Sequence, residues 1–198
     1  MSKYLNDRMF TNYIHQNLAI KEIYERLEWK QIELKTELAE HLDINKGIDY
    51  CFKTKHEAVV TVQERFRERK YGRYNDITFR YRRDHNPDKT RVASEFFKIQ
   101  ADFMVYGVID CDKLNYSLAK RFIKFAVVNL KMLMDAFDRK EILIKESAAH
   151  QCQIDNGTLI CPINYNRDGS SSFVPVDISL LMHTAISKDV IQMQEGYE

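Results

Sequence analysis

Ala119, Phe122, Ile123, Ala126, Val127, Leu130, Leu133, Met134 and Phe137 form one continuous apolar stripe at helical spacing. A stripe of this kind has to be covered by another element. Upstream the period changes. From Asp76 to Arg82, Ile77, Phe79 and Tyr81 alternate with Thr78, Arg80 and Arg82, the two-residue period of a half-buried strand with a basic outer face. The two periods together require a sheet packed with helices.

The remaining segments extend that pattern. Ile20, Ile23, Tyr24, Leu27, Leu34, Leu38 and Leu42 recur at three- and four-residue steps, so Asn17 to Leu42 reads as one long helix with a break near Lys30. Lys46-Gly47 stops it. Ile48 to Phe52, Ala58 to Arg67 and Asp102 to Ile109 read as strands, the last apolar enough to be central. Glu141 to Lys145, Thr158 to Ile163 and Phe173 to Ile178 follow as shorter strands, with a turn at Arg167-Asp168-Gly169-Ser170 between the last two. A final helix is expected from Ser179. The fold class implied is α/β (α+β), a central mixed β-sheet flanked by helices. With six Gly, three Pro and no linker or repeat, residues 1–198 read as a single domain.

Hydrophobic residues make up 44% and charged residues 30%, a globular rather than disordered balance. No apolar run reaches the roughly 18–20 residues of a membrane span, and Met1 to Phe10 has no signal-peptide core. Cys51, Cys111, Cys152 and Cys161 are scattered without a CxxC pair, so reduced thiols and a cytoplasmic location are expected. His150, Cys152 and Cys161 lack the closed four-ligand set of a structural zinc site.

The residues that point to chemistry lie early. Asp49 follows the first helix on a short strand, and Gln63-Glu64-Arg65 lies on the next. Side chains alternate along a strand, so Gln63 and Arg65 share one face and Glu64 takes the other. A hairpin would bring Asp49 beside Gln63. The pattern resembles the PD-(D/E)XK, or restriction-endonuclease-like, nuclease superfamily over roughly Leu34 to Gly107: Asp49 matches the first acid, Gln63-Glu64-Arg65 the acid-x-Lys, and Glu37 or Glu40 the helix carboxylate. The resemblance implies a restriction-endonuclease-like core and a Mg²⁺- (or Mn²⁺-) dependent deoxyribonuclease of phage, restriction or repair type. Asp49, Gln63, Arg65 and Glu37 would form the catalytic set. The Asp49 carboxylate, the Gln63 amide oxygen and the Glu64 carbonyl would hold the metal, which polarises phosphate and acidifies a bound water. Gln63 departs from the family's acid and removes a charge from the site. Arg65 departs from its Lys, which excludes a base role but keeps electrostatic contact with phosphate. The same residues also read as a strand end and two solvated strand positions.

Charge strengthens the nucleic-acid reading. Between Val59 and Arg91 ten cations (Arg65, Arg67, Arg69, Lys70, Arg73, Arg80, Arg82, Arg83, Lys89, Arg91) outnumber five acids, whereas the rest of the chain is net negative. Tyr71, Tyr74, Phe79 and Tyr81 interleave with them. That is the footprint of backbone contact with some base stacking, DNA being the expected partner. Charges that keep an edge strand from aggregating are the alternative. His85 beside Asp84 is a candidate general base or a surface-loop histidine, Asp102 a candidate further acid, and Asp110 and Asp112 loop residues. Three functions therefore stand side by side: a nuclease, a non-catalytic nucleic-acid-binding protein on the same fold, and a protein-inhibitor module. A homodimer is compatible with each.

Overall fold

The computed structural model describes residues 3–83, 85, 86, 88, 92–146 and 149–198. The strands, in chain order, are β1 (Lys30–Ile32), β2 (Tyr50–Lys53), β3 (Val59–Arg67), β4 (Asp76–Arg80), β5 (Phe103–Ile109), β6 (Phe122–Asn129), β7 (Ile142–Lys145), β8 (Gln153–Asp155), β9 (Thr158–Pro162), β10 (Asn164–Tyr165), β11 (Ser172–Asp177) and β12 (Ile191–Glu195). The α-helices are α1 (Lys3–Ile14), α2 (Thr36–Lys46), α3 (Leu130–Asp138), α4 (Ile178–Leu181) and α5 (Ser187–Val190). The fold is mixed α/β, with a mixed sheet at its centre, as the sequence implies.

The chain forms two compact units interleaved along the sequence. One takes the residues up to Tyr74, Ala101–Val128 and Met193–Tyr197; the other takes Asn75–Gln100, Asn129–Gln192 and Glu198.

The first unit is built on a six-stranded sheet in the order β1-β2-β3-β5-β6-β12. β2 and β3 are antiparallel, whereas β3 and β5 are parallel. Val62, Glu64 and Phe66 of β3 are buried, and Gln63, Arg65 and Arg67 on the opposite face are half-buried. β5 is buried along nearly its whole length, as a central strand should be. Its Gly107 lies opposite Phe66. A Cβ there would come within 2.6 Å of the Phe122 ring, so only glycine lets these elements close. Phe10, Ile14, Leu18 and Ile23 form the core with Phe52, Val62, Phe66, Val105, Ile109 and Phe125. Burying each such side chain stabilises the fold by about 1.5–3 kcal/mol.

The helix that supplies half of this core is unusual. α1 continues without a break into a π-helix, His15–Tyr24. The wide hydrogen bonding persists beyond it: the Glu25 N–H donates to the Ile20 carbonyl and the Trp29 N–H to that of Tyr24, each five residues back. π-turns are rare and concentrate where a side chain has to be re-aimed.

The expected single helix from Asn17 to Leu42 is thus three elements. The π-helix ends at Tyr24, Glu28 takes a left-handed φ of 57°, β1 follows, and α2 starts afresh at Thr36. The break near Lys30 was the trace of that change. Gly47 stops α2 as expected, with φ 63° and its N–H bonded to the Asp43 and Leu42 carbonyls.

The apolar stripe from Ala119 to Phe137 is also two elements, β6 and α3. Phe122 to Val128 is buried nearly throughout, and an apolar run covered on both faces satisfies either period. The β-branched pair Val127-Val128 favours the strand. Asn129 then caps α3, its side chain accepting the Met132 N–H at 3.0 Å.

The second unit holds two three-stranded sheets, β10-β11-β4 and β7-β9-β8. β4 alternates as expected, with Ile77 and Phe79 buried and Arg80 exposed. The final helix expected from Ser179 is replaced by α4 and α5, after which β12 returns to the first unit's sheet. The turn after β10 forms where the sequence placed it, with Gly169 at φ 65°.

Candidate functional site

Of Gln63-Glu64-Arg65, only Glu64 enters the core, where no charge can stand alone. The Tyr24 hydroxyl donates to Glu64 Oε1 at 2.6 Å, and His15 Nδ1 meets the same oxygen at 2.8 Å. His15 Nε2 lies 3.1 Å from Gln31 Oε1. The Tyr50 ring stacks on the imidazole at 3.7 Å and 5° between planes. The Glu64 side chain is 0% exposed and that of His15 3%, so solvent screens neither. Both partners of His15 are acceptors, an arrangement fully satisfied by the imidazolium. Burial alone would lower the pKa of His15, but the hydrogen bond and charge of Glu64 outweigh it and raise the pKa above its usual 6.5. Glu64 Oε2 is buried without a partner. This network ties the π-helix to β3.

Asp49 lies just outside the β2–β3 ladder, whose register runs from Tyr50↔Val62 to Lys53↔Val59. Its N–H donates to the Val62 carbonyl at 2.9 Å, and its Oδ2 accepts the Glu64 N–H at 2.7 Å. The side chain thus stands in for a strand carbonyl and continues the ladder. Burial, with further pressure from the Glu64 and Asp43 charges, pushes its carboxyl up to about 7, the Glu64 N–H and Arg65 opposing. Gln63 Oε1 is buried with no hydrogen-bond partner.

Of the donors the resemblance implies for Mg²⁺, Asp49 keeps Oδ2 on the Glu64 N–H and Gln63 Oε1 is buried without a hydrogen-bond partner, while the Glu64 side chain points into the core and shares an oxygen with His15 and Tyr24. Glu37 and Glu40 are exposed on α2, and the α2 acid whose charge acts on Asp49 is Asp43. Among the described residues, no group of three or more His, Cys, Asp or Glu side chains is placed to hold a metal ion.

The basic stretch divides between the units. In the first, β3 carries the half-buried Arg65 and Arg67 on one face and runs into a 3-10 turn, Arg69–Arg73. The Arg67 guanidinium lies 5.2 Å from the Tyr71 ring centre and Lys70 Nζ 5.3 Å from it. The Arg73 guanidinium covers Tyr74 at 4.8 Å and donates to its hydroxyl at 2.7 Å. Arg69, Lys70, Arg73 and Tyr74 are exposed. In the second unit Arg80 and Arg82 are exposed and Arg83 half-buried; Tyr81 packs at 4.9 Å on Phe97, itself 52% exposed.

Asp102 Oδ2 accepts both the N–H and the hydroxyl of Thr61 at 2.7 Å, clamping β5 to β3. Asp110 Oδ1 accepts the Lys120 N–H. His85 is exposed; Asp84, Lys89 and Arg91 lie outside the described residues. The four cysteines are free thiols, Cys51 and Cys161 buried and the others half-buried.

Comparison with known proteins adds no relative. No family model matches the chain, and neither a curated protein nor a solved structure matches it. No helix among the described residues is long and apolar enough to cross a membrane.

Proposed function

We propose that this chain binds nucleic acid through the phosphate backbone, with DNA as the partner, and does so without hydrolysing it. The observation that carries the reading is the Arg67–Tyr71–Lys70 cluster with Arg73–Tyr74 beside it in sequence. Cations there are held against aromatic faces, as in sites that combine phosphate contact with base stacking. On this reading the chain keeps the helix, hairpin and parallel strand of a restriction-endonuclease-like core (α2, β2–β3, β5) and has lost its metal chemistry. Gln63 and Arg65, which stand where that family has an acid and a lysine, support the loss.

The test is binding of labelled single- and double-stranded DNA in EDTA across a salt series. Affinity should fall linearly with salt on logarithmic axes. Replacing Arg69, Lys70 and Arg73 together with Ala should weaken binding and flatten the slope by roughly one unit for each phosphate no longer neutralised. Absence of binding at low salt sinks the reading in favour of a protein partner. Cleavage in Mg²⁺ or Mn²⁺ that Asp49→Ala abolishes restores the nuclease.

A further inference from the structure

The second unit carries a pair of cysteines that its basic residues do not explain. β8 and β9 are antiparallel, with Gln153 opposite Ile160, Ile154 opposite Leu159 and Asp155 opposite Thr158. One further step along the same register sets Cys152 opposite Cys161. Directly opposed residues of an antiparallel pair have Cα atoms about 4.5–5.5 Å apart, inside the range of about 4.4–6.8 Å that a disulfide spans. The two side chains are close enough for Cys152 to act on the Cys161 thiol and raise its pKa. Cys161 is buried in the central strand of its sheet, whereas Cys152 is half-buried and its Sγ lies 3.3 Å from the Pro175 carbonyl. One thiol is therefore reachable from solvent and the other waits behind it.

We propose that Cys152 and Cys161 are a peroxide-responsive dithiol that closes to a disulfide across β8 and β9. The Cys152 sulfur attacks hydrogen peroxide. The O–O bond breaks, Cys152 becomes a sulfenic acid and water leaves. The Cys161 sulfur then attacks the Cys152 sulfur: the S–O bond breaks, the S–S bond forms, and the hydroxyl departs as a second water with the Cys161 proton. Two thiols and one peroxide give one disulfide and two waters, the two electrons passing from sulfur to peroxide oxygen. The contact with Cys152, together with burial, raises the pKa of Cys161, so Cys161 is not the thiol that meets the oxidant first. Closure also replaces the Cys152 thiol that faces the Pro175 carbonyl, loosening the hairpin from β11.

Both cysteines fall in one tryptic peptide, residues 146–167, which makes the test direct. The folded protein is treated with a small molar excess of hydrogen peroxide, alkylated under denaturing conditions, digested and weighed. The wild-type peptide should appear two hydrogens lighter and unalkylated, with thiol reactivity restored by reductant. In Cys161→Ala the reaction should stop at a Cys152 sulfenic acid that dimedone traps. Two alkylated cysteines after treatment, oxidation of Cys51 or Cys111 ahead of this pair, or closure no faster than in protein first unfolded with denaturant would each overturn the proposal.

Discussion

His15 and Glu64, 49 positions apart in the chain, meet at 2.8 Å inside the first unit's core. A charge pair there gains little over apolar residues of the same shape, yet is expensive to break. Glu64→Ala should lower unfolding free energy by about 3–5 kcal/mol, because an imidazolium is left buried without its counter-charge. Replacing both partners with Leu should cost less than that single change. Urea denaturation of wild type and the two variants checks the ordering, and equal losses would show that the pair does not act as a unit.

Stability should fall as pH rises from about 5 to 8. The folded-state pKa of His15 is raised, so its contribution is complete below its unfolded value of 6.5 and is lost as pH climbs through the folded value. Asp49 is shifted in the same sense. Its carboxyl titrates at about 7 in the fold against 3.8 unfolded, so ionisation draws down stability between those values. The native state holds more protons than the unfolded chain across this window. Asp49→Asn keeps an oxygen for the Glu64 N–H and should flatten the lower part of the profile, raising stability at pH 8 by about 1–3 kcal/mol. A wild-type melting temperature that climbs over the same range would contradict both assignments.

Tyr71 and Lys70 should separate stacking from charge. Tyr71→Ala should weaken single-stranded DNA binding by about 1–3 kcal/mol with its salt slope retained. Lys70→Ala should reduce the slope by roughly one. If both variants change the slope alike, Tyr71 acts only by positioning its cations.

Two glycines offer a contrast in backbone tolerance. Gly196 has φ 77°, and a Cβ there would lie 2.4 Å from the Ile123 carbonyl oxygen. Gly196→Ala should cost about 2–4 kcal/mol through strain and displaced backbone. At Gly72 the obstacle is the Cδ1 methyl of Ile123, the movable end of a side chain. Gly72→Ala should cost under about 1 kcal/mol. Thermal unfolding of the two proteins decides it.

The strands that alternate were legible because one buried face forces the period. β4 with Ile77 and Phe79, and β3 with Val62, Glu64 and Phe66, lie where the pattern put them. β6 was not legible, since burial on both faces erases the alternation, and its apolar run flows into α3 without a change of composition. The π-helix leaves no mark in spacing, because its wider turn serves tertiary partners that lie far along the chain. The hairpin expected to bring Asp49 beside Gln63 does set Asp49 against β3, where its carboxylate accepts the Glu64 backbone N–H. His15, Tyr24 and Gln31, which decide what Glu64 can do, carry no local signature. A histidine on an apolar helix face looks the same in sequence whether or not a glutamate awaits it.

β12 has a bearing on how the molecule is made. It closes one side of the first unit's sheet, yet it is translated after nearly all of the second unit, and Arg26 reaches Glu195 at 2.7 Å across 169 positions of chain. During synthesis β6 must wait with an open edge while the intervening segments emerge. Closures this distant in sequence slow folding, and an unpaired strand edge is what aggregation recruits. The first unit to emerge from the ribosome is thus among the last to be finished.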